Sequence, residues 1–194
     1  MGRFRRTRKG IELRLDRAEA ALVQQLVAEL TALLAEPGSA GADSGGGLAR
    51  SAEDPWDFLA RLGALDPPPP VPPSDPVLAR LLPDGYRDDP VAAAELRRYT
   101  EPELRRGKLA AAATVLETLD AESGRLLLDE PAAEAWLGVL NDLRLAVGTR
   151  LDVSEETYAE LDRVPADSPR GAALGVFGWL GWLQETLVEA LSFG

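Results

Sequence analysis

Helix-start signals recur along this chain and limit its fold more than any other feature of the sequence. Asp or Ser stands directly before proline at Asp54-Pro55, Asp75-Pro76, Asp89-Pro90 and Ser168-Pro169. Such a residue caps the free N–H groups of a helix, and proline is tolerated in the first turn because its missing N–H has no partner there. Each pair therefore predicts the start of a helix, and together they predict a mainly α fold.

The helices predicted from these signals and from the apolar spacing between them cover most of the chain. They run from Asp16 to about Glu36, from Asp54, from Asp75 to near Leu82, from Asp89 through Tyr99, from Thr100 to about Ala121, from Pro131 to about Val147, from Ser154, and from Ser168 through Leu191. Asp16 with Glu19, and Thr100 with Glu103, have the spacing of a capping box.

The N-terminus has the pattern of a β-hairpin. Ile11, Leu13 and Leu15 alternate with charged residues, which is the period of a half-buried strand. Gly10 can supply the positive φ of a tight turn, and Arg3–Arg8 would be the partner strand. The triple leucine in Arg125–Asp129 predicts one further short, buried strand. The expected fold class is a helical bundle with a small N-terminal β-hairpin and this extra strand.

Composition divides the chain into segments. Residues 1–36 would hold the hairpin and the first helix, and 37–53 are rich in glycine and serine, which predicts a flexible linker. Residues 54–194 would form a helical domain that contains a proline-rich spacer at 66–74. A length of 194 residues fits one domain overall.

The absence of histidine and cysteine restricts the chemistry open to this chain. Ser-His-Asp and Cys-His catalysis, zinc sites built on nitrogen or sulfur, and thiol redox sensing are all excluded. No Walker, Rossmann or EF-hand motif occurs, so we expect no cofactor, no metal and no catalytic residues. An enzyme built from carboxylates alone is the least favoured interpretation.

Charge is distributed unevenly along the chain. The first 17 residues carry a balance of +5, whereas the whole chain has a net charge of −11, so the other 177 residues sum to −16. An acidic body repels nucleic acid and favours basic surfaces on partners. No apolar segment follows the basic N-terminus, and the stretch 172–183 is too short to span a bilayer, so we expect a cytoplasmic protein without membrane contact.

Two basic clusters are the candidate contact sites for an acidic partner surface or, less favoured, for DNA phosphates. The first lies in the hairpin and the second follows a doubled Glu-Leu-Arg-Arg motif. Their members are Arg3, Arg5, Arg6, Arg8 and Lys9 in the first, and Arg97, Arg98, Arg105, Arg106 and Lys108 in the second. The alternative for the first, a solvated arm or pairing with the protein's own acidic body, is favoured. The alternative for the second, ion pairs with nearby glutamates, is favoured.

Two further patterns are explained by packing. Asn141, Asp142 and Arg144 lie close to the apolar face of the helix that begins at Pro131, which predicts a buried hydrogen-bond network. Gly175, Gly178 and Gly181 repeat every three residues in the last helix. Small residues at this spacing allow close backbone approach, so core packing is favoured and a homodimer surface is the alternative.

Several stretches in combination resemble one family. They are Leu82–Pro90 (LPDGYRDDP), Glu95–Arg98 (ELRR), Lys108–Leu109, Ala135–Leu151 (AWLGVLNDLRLAVGTRL) and Trp179–Glu185 (WLGWLQE). The chain is similar here to the actinobacterial domain-of-unknown-function family 2017, an AosR-like family of oxidative-stress transcriptional regulators. The likeness runs from Arg3-Phe4 to the C-terminal helix, apart from the two linkers.

The resemblance implies a non-enzymatic regulator that acts with the transcription machinery, through a sigma factor or RNA polymerase. Sensing in the named regulator is attributed to a cysteine pair, which this chain lacks, so thiol sensing does not carry over. The family's gene also stands beside that of the ClpS adaptor, which gives an alternative: an accessory or adaptor factor linked to Clp proteolysis.

Overall fold

The computed structural model of the protein describes residues 2–35, 71–119, 124–154, 157, 164–165 and 167–192. Within them are three strands and five helices, which confirms the predicted fold class. They are β1 (Arg3–Thr7), β2 (Gly10–Arg14), α1 (Arg17–Ala35), α2 (Pro76–Leu81), α3 (Pro90–Thr118), β3 (Arg125–Leu128), α4 (Glu130–Arg150) and α5 (Pro169–Ser192). The predicted linker at 37–53, the helix from Asp54, most of the spacer at 66–74 and nearly all of the helix from Ser154 lie outside the described residues.

The predicted hairpin is confirmed. β1 and β2 pair antiparallel, with Phe4 opposite Leu13. Gly10 has a φ of 136°, a backbone conformation that residues with a side chain rarely adopt. A Cβ on Gly10 would also lie 2.5 Å from the carbonyl oxygen of Leu128, so glycine is required both for the turn and for the approach of β3.

The third predicted strand is confirmed as one edge of an antiparallel sheet in the order β1-β2-β3. The hydrogen bond from Leu15 N–H to Gly124 O (3.0 Å) extends the β2–β3 ladder by one residue pair. Leu126 and Leu128 are buried, whereas Leu127 between them is 55% exposed. The strand is therefore half-buried and not fully buried as predicted, because successive side chains of a strand point to opposite faces.

Local capping signals operate as the sequence predicts. Glu19 N–H donates to the Asp16 carboxylate (2.8 Å) and Asp16 N–H donates to Glu19 (2.9 Å), which completes the capping box of α1. The Asp75 carboxylate accepts hydrogen bonds from two N–H groups of α2, and Asp89 does the same for α3. Ser168 Oγ accepts from Gly171 N–H (3.0 Å) at the start of α5.

The predicted break at Thr100 is wrong, because α3 continues through Pro102 as one helix of 29 residues. The Thr100 hydroxyl donates back to the Leu96 carbonyl (2.9 Å) instead of capping a new helix. Glu101 forms ion pairs with Arg97 one turn before it and with Arg105 one turn after it. These bonds hold the two halves of the helix together on either side of the N–H that proline lacks.

α4 is the central helix of the described fold, in contact with α1, α2, α3, α5 and the sheet. Its Trp136 is fully buried and donates from Nε1 to the Thr118 hydroxyl of α3 (2.9 Å). The Trp136 ring meets the Phe4 ring of β1 edge-on, with ring centres 5.8 Å apart. One side chain thus joins α3, α4 and the hairpin.

α5 covers the outer edge of β1. The Thr186 hydroxyl accepts a hydrogen bond from Phe4 N–H (3.2 Å), and Trp182 Nε1 donates to the Gly2 carbonyl (3.1 Å). Backbone N–H and carbonyl groups on the outer side of an edge strand otherwise have no partner within the sheet. The predicted core role is confirmed for the leucine face of α5 but is wrong for Gly175 and Gly178. These two glycines are exposed, and a Cβ on either would meet nothing within 4 Å.

α1 is long and apolar enough to cross a membrane by length and composition alone. Core helices of soluble proteins pass the same test. The buried side chains of α1, including Val23, Val27 and Leu34, belong to the hydrophobic core and pack towards α3 and α4. These contacts support the interpretation of α1 as a core helix.

We expect Thr186→Val to lower the free energy of unfolding by about 2 kcal/mol, because it leaves the buried Phe4 N–H without an acceptor. Urea denaturation followed by circular dichroism would measure the loss. Thr114→Val is the matched control, since the Thr114 hydroxyl only bonds to Ala110 within α3. Equal losses in the two variants would show that α5 does not hold the hairpin in this way.

Candidate partner-binding surface

The outward face of the sheet brings arginines from all three strands into one row. The register places Arg3 opposite Arg14, and Arg14 opposite Arg125. All three are exposed. Like charges directly opposite each other on neighbouring strands destabilise a sheet. A row of three arginines therefore has an unfavourable self-energy that a bound anionic group would relieve.

One carboxylate lies among these arginines. Glu12 occupies the next row, between Arg5 and Leu127, and binds Arg14 Nε and Arg125 NH2, both at 2.6 Å. Glu12 accepts hydrogen bonds from Arg14, which has the larger effect, and from Arg125. These bonds hold the pKa of Glu12 below its usual value. Glu12 therefore stays ionised at neutral pH and orients two of the guanidinium groups. The two rows together carry four arginines against one carboxylate.

The other basic residues of the hairpin are also exposed. Arg6 lies beside Thr186 and Glu189 of α5 in a shallow depression, while Arg8 and Lys9 belong to the turn region. Within the part of the chain that the structure describes, Arg3, Arg6, Arg8 and Lys9 form no ion pair with a carboxylate. The described acidic surface thus does not neutralise these four side chains, which remain open to a partner.

The second predicted cluster has a different environment, because ion pairs hold most of its members. Arg97 is buried, pairs with Asp84 (2.6 Å) and Glu101 (2.7 Å), and donates to the Leu82 carbonyl. It fastens the loop after α2 to α3. Of all the cations described here, Arg97 has the least contact with solvent, and it cannot reach a partner without breaking these bonds.

The remaining members of that cluster lie on the same helix. Arg105 pairs with Glu101 and donates to the Leu34 carbonyl near the end of α1 (2.8 Å). Arg106 is exposed and pairs with Glu103, and Arg98 is half-buried. The ion-pair interpretation that the sequence favoured for this cluster therefore describes Arg97, Arg105 and Arg106.

Lys108 joins α3 to α4. Its Nζ lies 2.7 Å from the carboxylate of Asp142, which is almost fully buried. Burial raises the pKa of Asp142, and the ion pair with Lys108 acts in the opposite direction. The buried network predicted at Asn141, Asp142 and Arg144 is thus present at Asp142, with its partner supplied by the second basic cluster. The prediction is wrong for Asn141, which is exposed, and Arg144 is only half-buried.

Arg14 and Arg125 are the members of the surface that sequence reasoning missed as contact residues. The alternation of Ile11, Leu13 and Leu15 already places Arg14 on the outward face of β2. No local pattern points to Arg125, because its place beside Arg14 depends on pairing between strands more than 100 residues apart. We define the basic sheet face as Arg3, Arg5, Arg14 and Arg125.

Comparison with known proteins agrees with the motifs. The model of the family described as "Domain of unknown function (DUF2017)" matches residues 1–191. The chain belongs to this family. No solved structure matches it. Among the described residues, no group of three or more acidic side chains is arranged to hold a metal ion.

Named relatives of this DUF2017 member come from mycobacteria. "Oxidative stress regulator AosR" of Mycobacterium tuberculosis H37Rv is 36% identical over 200 residues, which cover 95% of this chain and 84% of the relative. A Mycobacterium bovis protein with the same name has the same identity and coverage. A Mycobacterium leprae relative is 37% identical over 186 residues, which cover 89% of this chain and 78% of the relative. These names support a regulatory role.

We expect Lys108→Met to lower the free energy of unfolding by about 3 kcal/mol at neutral pH, because it leaves the Asp142 carboxylate buried without its cation. The pKa of Asp142 in the folded state would then rise further. A raised pKa means that the fold favours the protonated acid. The free energy of unfolding that the variant loses should therefore become smaller as the pH falls towards about 4, the usual pKa of an aspartate. Urea denaturation at a series of pH values would measure it.

The double variant Lys108→Met with Asp142→Asn is the control. It has no carboxylate at this position, so it should be more stable than the single variant at neutral pH, and this difference should shrink as the pH falls. A pH-independent loss in the single variant would contradict the assignment of the effect to Asp142.

Proposed function

We propose that this protein is a non-enzymatic regulator that acts by contact with the transcription machinery, and that the basic sheet face binds an acidic surface of a sigma factor or RNA polymerase. The row of Arg3, Arg14 and Arg125 across three strands carries this proposal. The regulatory role is supported by the mycobacterial relatives, whose names describe oxidative stress regulators.

Charge favours a protein partner over DNA. The chain outside its first 17 residues is strongly acidic, and such a body repels a duplex at long range. A compact basic face on an acidic protein can instead pair with carboxylates of a partner, while the like-charged remainder of both proteins restricts the orientation. Leu127, exposed opposite Glu12, adds an apolar contact to the same face.

The chemistry of the surface suits carboxylate recognition. A guanidinium group presents its N–H donors in a planar fork that matches a carboxylate in two parallel hydrogen bonds. Glu12 fixes Arg14 and Arg125 before any partner arrives, which reduces the entropy lost on binding. Because the chain has no cysteine, its regulatory signal does not involve oxidation of a thiol of its own.

Capture of the tagged protein from its native cytoplasm, with and without oxidant, tests the partner class. We expect recovery of RNA polymerase or a sigma factor, and purified components should then bind directly. Recovery of Clp components would instead support the adaptor alternative, and failure of both purified polymerase and purified sigma factors to bind would contradict the proposal.

With the purified partner, we expect Arg3→Glu combined with Arg5→Glu to raise the Kd about 100-fold, since each lost charge-assisted contact accounts for about a factor of ten. Calorimetric titration would measure the change. Arg87→Glu combined with Arg150→Glu is the matched control, because it changes the net charge by the same amount. Arg87 is exposed in the loop between α2 and α3, and Arg150 is exposed at the C-terminal end of α4, away from the sheet. Equal losses from the control would show that overall charge, and not this face, determines binding.

A further inference from the structure

Arg144 of α4 is a half-buried cation without a carboxylate partner among the described residues. Its NH1 donates to the Gln184 side-chain oxygen of α5 (2.6 Å). Its Nε is buried and has no hydrogen-bond acceptor in the described structure. Its guanidinium carbon lies 5.5 Å from the centre of the Phe177 ring. Neutral groups thus orient this arginine, and none of them balances its charge.

Comparison with Arg97 shows how unusual this is within the same fold. Arg97 is also removed from solvent, but two carboxylates neutralise it. Taking a charged group out of water costs several kcal/mol unless an opposite charge and hydrogen bonds compensate. Arg144 is only partly buried, so its cost is smaller, and one of its edges still faces open space.

That open space is a cavity of about 460 Å³ between α2, the C-terminal half of α4 and α5. A second cation, Arg80 of α2, lines it, together with Asn141 on α4. Leu145, Val153 and Phe177 form apolar parts of its wall. A cavity of this size with a few converging polar groups is typical of sites for small organic ligands.

Glycine shapes the floor of the cavity. A Cβ on Gly148 would lie 3.1 Å from Cε2 of Phe177, closer than ordinary packing allows. Glycine at this position therefore lets the Phe177 ring lie against α4, one turn beyond Arg144. The ring in turn lies beneath the guanidinium and helps to hold it in place.

We propose that this cavity binds a small organic acid with a single carboxylate. Its carboxylate pairs with Arg144, Arg80 supplies additional attraction, and its apolar part lies against Leu145, Val153 and Phe177. The apolar wall and the volume exceed what a bare inorganic anion needs. Asp152 also lines the cavity and leaves a net charge of one positive unit there, which favours one negative charge over two.

This site is separate from the basic sheet face and does not depend on the proposed regulatory function. The two sites share no residue. Loss of partner binding in the variants of the sheet face and loss of ligand binding in the cavity can therefore be measured independently.

Benzoate, acetate and inorganic phosphate are the probes for the test, titrated into the full chain at constant ionic strength and read by thermal denaturation and calorimetry. Benzoate should raise the Tm, because a ligand that binds only the folded state stabilises it. Acetate and phosphate should bind more weakly, since neither offers an apolar body. Stronger binding of phosphate than of benzoate would overturn the assignment of ligand class.

Arg144→Gln should raise the Kd for benzoate about tenfold, the effect of losing one charge-assisted hydrogen bond. Arg80→Gln should raise it less, because Arg80 contributes attraction between charges and no direct bond. Arg80 is exposed, so its variant tests the site without disturbing the core. Arg150→Gln is the matched control, because Arg150 is exposed on α4, the helix that carries Arg144, and does not line this cavity. No benzoate binding at millimolar concentration, or an equal loss in the Arg150 variant, would overturn the proposal.

Discussion

The burial of Trp136 is the interaction on which the rest of the fold depends. Its indole ring lies inside the helical core, its Nε1 donates to Thr118 of α3, and its edge-to-face contact with Phe4 draws the hairpin onto the helices. Because Phe4 is placed in this way, its N–H can donate to Thr186 of α5, which closes the edge of β1. With β1 and β2 fixed on the core, β3 has a template to pair with, and the arginine row can form.

Arginine has two roles in this protein, and the local charge distinguishes them. Arg97 and Arg105 join elements of the fold because two carboxylates, Asp84 and Glu101, balance their two positive charges. On the basic sheet face, Glu12 is the single carboxylate among four arginines, so positive charge remains for a partner. Arg144 is an intermediate case, with neutral groups around it and an open cavity beside it. The balance of positive and negative charge in each cluster, and not residue type, separates structural from functional arginines here.

Much of the fold could be predicted from the sequence because its signals are local. A capping carboxylate acts on N–H groups two or three residues away, so Asp16, Asp75 and Asp89 identify helix starts without knowledge of the fold. The prediction failed at Thr100, where the capping-box spacing with Glu103 suggested that a new helix begins. There Glu101, bonded one turn to either side, keeps α3 continuous, and such side-chain bonds are visible only once the helix exists.

The sequence by itself determined the mainly α class, the hairpin, most helix starts, the absence of thiol and imidazole chemistry, and the uneven charge. These follow from composition and from contacts that span a few residues. Only the tertiary structure decided which charges stand together. Arg125 reaches Arg14 through strand pairing, and Lys108 reaches Asp142 through helix packing. Pairing and packing between distant segments depend on how whole apolar faces fit together, and no local pattern of residues encodes that fit.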